Sequence, residues 1–300
     1  MSHNHSHDVT NYNRSFALGI TLNIIFVIIE VIYGISADSM ALIADAGHNL
    51  SDVMSLLLAW GANRLATKHP TSNRTYGFRR VTILASLISA VLLLVALGGI
   101  TYETLERLFN PQAVDASTVI IVAAIGVVIN TATALLFIKG QKHDLNIRAA
   151  YLHMAADAGI SFGVVLAGIA ILFTGWLWLD PVISLFIVIV ILISTWALLK
   201  ESINLSIDAV PQGINITGIH NYLSTLNNIT SIHDLHVWAL STTEVALTVH
   251  LVTVDNSINN SFLEEIQRNL HDKFDVEHST IQVESATDEN CCLLNNSKCS

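Results

Sequence analysis

The chain has 300 residues, 52% of them hydrophobic and only 13% charged, with a net charge of −10 and a mean hydropathy of +0.55. That composition excludes an ordinary soluble domain and a disordered chain, and the acidic balance speaks against nucleic acid as a partner and for a cationic one. What remains is a membrane protein.

The leader, residues 1–14 (MSHNHSHDVTNYNR), is polar and histidine-rich. No small-residue cleavage site follows the first apolar run, so the leader is expected to be retained. Six stretches then reach the roughly 20 apolar residues that cross ~30 Å of hydrocarbon, at 16–35, 40–64, 81–105, 118–139, 147–173 and 177–199. Lysine and arginine orient them. Ten basic residues up to Lys200 fall on one side (Arg14, Arg64, Lys68, Arg74, Arg79, Arg80, Lys139, Lys142, Arg148 and Lys200) and only Arg107 on the other, which predicts both termini in the cytoplasm.

Within the second stretch, ADAGHNLSD places His48 four residues before Asp52; within the fifth, LHMAADAG places His153 four residues before Asp157. Residues four apart share a helix face, so each stretch presents a histidine and a carboxylate together, and Asp45 joins the first pair as an orienting partner behind His48. Depth allows the pairs to meet: counting at ~1.5 Å per residue puts them roughly 12–18 and 15–21 Å below the outer boundary of a ~30 Å core. Two nitrogens and two oxygens at one depth match a tetrahedral zinc site. A carboxylate at a helix centre costs ~2.5–3.5 kcal/mol even on the lenient insertion scale, so paying twice in matched positions points to function. Sulfur-free His2Asp2 chemistry suits zinc, admits cobalt, nickel and iron, and disfavours softer cadmium and copper(I).

Residues 15–200 are thus expected to form a six-span transmembrane domain. From 201 to 285 the chain alternates short polar and apolar runs, predicting a helix at 214–226, strands at 231–240 and 243–253, a helix at 261–274 and a strand at 280–284. The fold class is therefore an α-helical membrane protein with six transmembrane helices plus a small cytoplasmic α+β domain of order αββαβ, metallochaperone-like, whose small core dimerisation would help. A tail at 286–300 holds Cys291, Cys292 and Cys299 in what is expected to be a reducing compartment, where thiolates bind metal rather than pair.

These residues resemble the cation diffusion facilitators over nearly the whole chain. GISADSMALIADAGHNLSDVMSLLLAW is similar to that family's second span, YGFRR to its third-span entry and HDLNIRAAYLHMAADAG to its fifth; HDLHVWAL and HSTIQVE resemble its cytoplasmic domain. The resemblance implies a homodimeric, proton-coupled exporter of divalent metal, zinc foremost, working through His48, Asp52, His153 and Asp157 with protons as counter-ions. It also implies a regulatory metal site of His233, His250 and Glu284. Strand alternation would send His233 and His236 to opposite faces, and His278 lies six residues, about 20 Å of strand, from Glu284, so it would serve a neighbouring site. His69 is the obvious ligand type in the loop between the second and third spans, and Cys291 and Cys292, with His3, His5 and His7, are candidates for metal capture. Glu30, Asn23 and Asn130 are the other polar groups expected along the pathway. The short loop between the fourth and fifth spans favours a bacterial inner membrane. Two other classes stay open on sequence: a membrane zinc sensor or non-transporting subunit, and a membrane zinc hydrolase, although no His-Glu-x-x-His helix is present.

Overall fold

The computed structural model describes residues 9–138, 145–254 and 260–285. Six long helices come first: α1 (Val9–Ser36), α2 (Met40–Ala66), α3 (Val81–Phe109), α4 (Ala116–Phe137), α5 (Leu145–Thr174) and α6 (Leu179–Ser206). Among the described residues, four segments (Val81–Phe109, Ala116–Leu136, Tyr151–Thr174 and Leu179–Ser206) are long and apolar enough to cross a membrane, and α1 adds the shorter apolar stretch Thr21–Ser36. α2 is less apolar because Asp45, His48, Asn49 and Asp52 interrupt it.

The chain divides into two compact units, Met1–Leu58 with Ser89–Ala197, and Ala59–Ile88 with Leu198–Ser300. In the first, α4 packs along α5 and α1. All six helices feed one apolar core, which includes Phe26, Leu42, Leu97, Val122, Val164 and Ile187. Small residues allow the tightest approaches: a Cβ on Gly126 of α4 would stand 2.5 Å from the Phe26 ring and 3.0 Å from Ser161 Oγ. Outward residues such as Val95, Phe173, Phe186 and Ile193 are large, apolar and exposed, as lipid contact requires.

In the second unit α7 (Ile216–Ser224), β1 (Ile229–Ala239), β2 (Val245–Thr253), α8 (Asn260–Phe274) and β3 (His278–Ser285) follow in the αββαβ order read from the sequence. The sheet order is β1-β2-β3; β1 and β2 form an antiparallel pair, whereas β2 and β3 run parallel, with α8 lying between them in sequence as a parallel crossover demands. Val245, Leu247, Val249 and Leu251 alternate onto one face, where Ile219 and Leu223 of α7 and Ile266 and Leu270 of α8 close the core. Each fully buried Leu or Ile here contributes about 1.5–3 kcal/mol. The opposite face carries the polar partners in register, His233 opposite His250 and His250 opposite Gln282.

One local departure matters for that face. β1 shifts register between His233, which pairs with His250, and His236, which pairs with Thr248. The inserted residue is taken up around Asp234, whose φ of 54° is tolerated best by Asn, Asp or Gly. The bulge returns His236 to the same face as His233, where uninterrupted alternation had sent it to the other.

Candidate metal centres

The first centre depends on how α2 is held at its start. Asp180, at the first turn of α6, accepts hydrogen bonds from the Ser39 hydroxyl, from Met40 N at 2.7 Å and from Ala41 N at 3.4 Å. A carboxylate from another helix thereby caps the free N–H groups of α2 and meets the positive end of its dipole. The sequence reading missed Asp180; its place opening an apolar helix just before Pro181 was the available signal. With its start anchored, α2 brings His48 and Asp52 down one face by helical periodicity.

α5 supplies the complement. His48 Nε2 lies 3.2 Å from Asp157 Oδ1, and His153 Nε2 lies 3.1 Å from Asp52 Oδ2, so each histidine meets the carboxylate of the opposite helix. The pairs along each helix are looser, 3.9 Å for His48 with Asp52 and 3.7 Å for His153 with Asp157. Donor atoms on a tetrahedron of radius about 2.0–2.2 Å are about 3.3–3.6 Å apart, so the four side chains need only small adjustments to enclose one ion. Ligand atoms of His48, Asp52 and Asp157 already lie within 4.8 Å of one another. His153 stands at the open side, 41% exposed, and Asp157 at the closed side, 1% exposed. Asp157 Oδ2 has no hydrogen-bond partner despite its burial.

Asp45 is fully buried and accepts from the Ser161 hydroxyl of α5 at 3.0 Å. Glu30, also fully buried, accepts from Asn49 at 2.9 Å. Asn23 and Asn130 are buried too.

In the second unit, His250 Nδ1 is 2.9 Å from Glu284 Oε1 and His233 Nε2 is 3.3 Å from Glu284 Oε2, the two rings meeting edge to face at 5.0 Å. Ligand atoms of these three residues fall within 4.8 Å of one another. Gln282 donates to Glu284 Oε1 at 2.9 Å and steadies it. Asp234, which sequence reasoning overlooked, lies 3.6 Å from His250 Nε2 and 2.9 Å from His236 Nε2. The hydrogen bond from His236 holds the Asp234 carboxyl below the usual carboxylate range. His236 is thus engaged by Asp234 and stands outside the three-residue group.

The remaining candidates are not gathered. His278 packs edge to face on Tyr76 with ring centroids 5.6 Å apart, at the far end of β3 from Glu284. His69 is exposed and joins no group of candidate ligands among the described residues. Arg79, in the same loop, pairs with Glu244 at 3.0 Å. Cys291, Cys292, Cys299 and the leader histidines lie outside the described residues.

Comparison with known proteins agrees with both halves of this architecture. The cation efflux transmembrane domain matches residues 16–205, and the cytoplasmic domain of cation efflux proteins matches residues 211–286. The chain is 37% identical to the metal cation efflux system protein CzcD of Cupriavidus metallidurans, over 95% of this chain and 91% of that one. It is 36% identical to the cadmium, cobalt and zinc/H(+)-K(+) antiporter of Bacillus subtilis, with 95% and 92% covered. Identity to the zinc transporter ZitB of Escherichia coli is 32%, with 95% and 93% covered. Six helices of which α2 and α5 carry paired His/Asp faces, an αββαβ domain and these full-length matches lead to one conclusion: the chain belongs to the cation efflux family, whose members are multi-pass membrane transporters of metal cations and not enzymes.

Proposed function

We propose that the chain is a proton-coupled antiporter that exports zinc, and other divalent ions of similar coordination preference, from the cytoplasm through His48, Asp52, His153 and Asp157. The observation that carries this reading is the crossed pairing of the four side chains, 3.2 and 3.1 Å between opposite helices. Two aspartates neutralise a divalent ion, and two imidazoles bind it only when neutral, so metal and protons compete for the same atoms. In an inward-facing arrangement zinc displaces protons; after the helices rock, protons from the far side displace zinc, and two arrangements around one fixed site suffice. The names of the relatives, a zinc transporter and a cadmium, cobalt and zinc antiporter exchanging protons and potassium, support both the cargo and the exchange.

His233, His250 and Glu284 are read as a regulatory zinc site in the cytoplasmic domain, which also joins two copies as a homodimer. That assembly sits in a bacterial inner membrane with both termini in the cytoplasm. The test is zinc-driven proton movement in liposomes holding the purified protein. A zinc gradient should drive protons the opposite way; zinc flux without proton movement would remove the coupling, and no metal flux at all would leave a sensor.

A further inference from the structure

We infer that Glu30 and Asp45 form a proton-binding site of their own: a buried carboxyl pair that shares one hydrogen beside the metal ligands and contains none of them. Both residues have zero exposure, Glu30 on α1 and Asp45 on α2, and Asn49, which Glu30 bonds, lies one turn along α2 from Asp45 on the same face, which sets the two carboxyls side by side. One oxygen of each is accounted for, Glu30 Oε2 by the Asn49 amide at 2.9 Å and Asp45 Oδ2 by the Ser161 hydroxyl at 3.0 Å. Glu30 Oε1 and Asp45 Oδ1 are buried with no donor.

Carboxylates only accept, so two ionised groups facing each other leave both oxygens unpaired and add like-charge repulsion. No lysine or arginine stands at 15–63 or 149–199 to relieve it, and the nearby imidazole of His48 is engaged by Asp157 at 3.2 Å. The titratable groups facing the pair are His48 of α2 and Asp157 of α5. One hydrogen between Oε1 and Oδ1 supplies the missing donor and removes one of the two charges at once. Buried polar atoms are almost always satisfied, and here a proton is the ligand that satisfies them.

The pair's place in transport rests on the proposed metal site; its existence does not. A divalent ion arriving among His48, Asp52, His153 and Asp157 adds positive charge in a low-dielectric surrounding, which favours loss of the shared hydrogen. The pair therefore gives up a proton that comes from no metal ligand, and takes one back when the metal leaves.

Infrared difference spectroscopy of the purified full-length protein in lipid tests this. At neutral pH without metal, the parent should show the carbonyl stretch of a protonated carboxylic acid, shifted in heavy water and lost on adding zinc. Glu30→Gln and Asp45→Asn should each lose the band, since the new amide donates the hydrogen that the proton supplied; either variant suffices if the other does not fold. Asp52→Ala should keep the band, with zinc no longer removing it. Absence of an acid band in the parent, or its survival in both Glu30→Gln and Asp45→Asn, overturns the inference. Should Asp52→Ala instead bind zinc and lose the band as the parent does, the metal-site reading fails while the pair stands.

Discussion

In the membrane unit, His48 and Asp52 reach His153 and Asp157 across two helices; in the C-terminal domain, His233, His250 and Glu284 meet on three strands. The strands are tied by backbone hydrogen bonds in fixed register, so donor spacing there is set by the ladder and is costly to change. α2 and α5 share no such ladder; side-chain contacts link these two faces, the crossed pairs and the hydrogen bond from Ser161 to Asp45. The same ligand types can therefore hold an ion statically on a sheet or release it by a shift of one helix against another. Burial differs in range: the helix ligands run from Asp157 at 1% exposed to His153 at 41%, whereas the sheet ligands stay between Glu284 at 14% and His250 at 26%.

The strongest way to break this comparison is to remove the most buried ligand. Asp157→Ala should lower zinc flux by more than the about 10–100-fold that losing an outer partner of a metal site costs, with folding and dimerisation intact by size-exclusion chromatography. Near-parent flux from a correctly inserted variant would remove the membrane cluster from the account. Next in size is His48→Asp, which keeps an oxygen donor on the same face, adds a negative charge and removes one imidazole. Selectivity should broaden toward cadmium. An unperturbed carboxyl protonates about 2 to 3 pH units below an imidazole, so the variant should retain metal at acidities that empty the parent, as parallel pH titrations of metal binding would show.

The sheet site should respond less. On the proposed regulatory role, His250→Ala in the full-length protein should shift the zinc concentration that gives half-maximal flux while leaving maximal flux within about twofold; calorimetry should show weaker zinc binding by the cytoplasmic domain. Asp234→Asn is smaller still. It retains the left-handed backbone and loses only the charge beside His250 and His236, so regulatory zinc affinity should fall by about tenfold. Asp234→Ala adds a backbone cost of about 1–2 kcal/mol at positive φ, readable as a lower unfolding temperature of the domain relative to Asp234→Asn.

Much of this was legible because periodicity dictates it. A histidine and an aspartate four apart share a helix face whatever surrounds them, and the depth count brought the faces of α2 and α5 to one level; in the structure His48 and Asp157 stand 3.2 Å apart. The αββαβ order followed from runs of period two and period 3.6. The bulge at Asp234 was not legible by alternation, since a single extra residue flips every later side chain, and only the αL tolerance of aspartate hinted at it. Nor did spacing along one helix reveal partners on another. Asp45 accepts from Ser161 of α5, which no spacing along α2 could show, and Asp180, the cap of α2, is 140 residues from Met40 in sequence.

Zinc K-edge absorption spectroscopy addresses the central claim most directly. In the full-length protein with His233 and His250 replaced by alanine, the remaining bound zinc should show four light-atom neighbours at about 2.0–2.2 Å with the multiple scattering of two imidazoles. That shell should be lost in Asp157→Ala. A sulfur neighbour, or a zinc shell unchanged by Asp157→Ala, would contradict the assignment of His48, Asp52, His153 and Asp157 as the transport site.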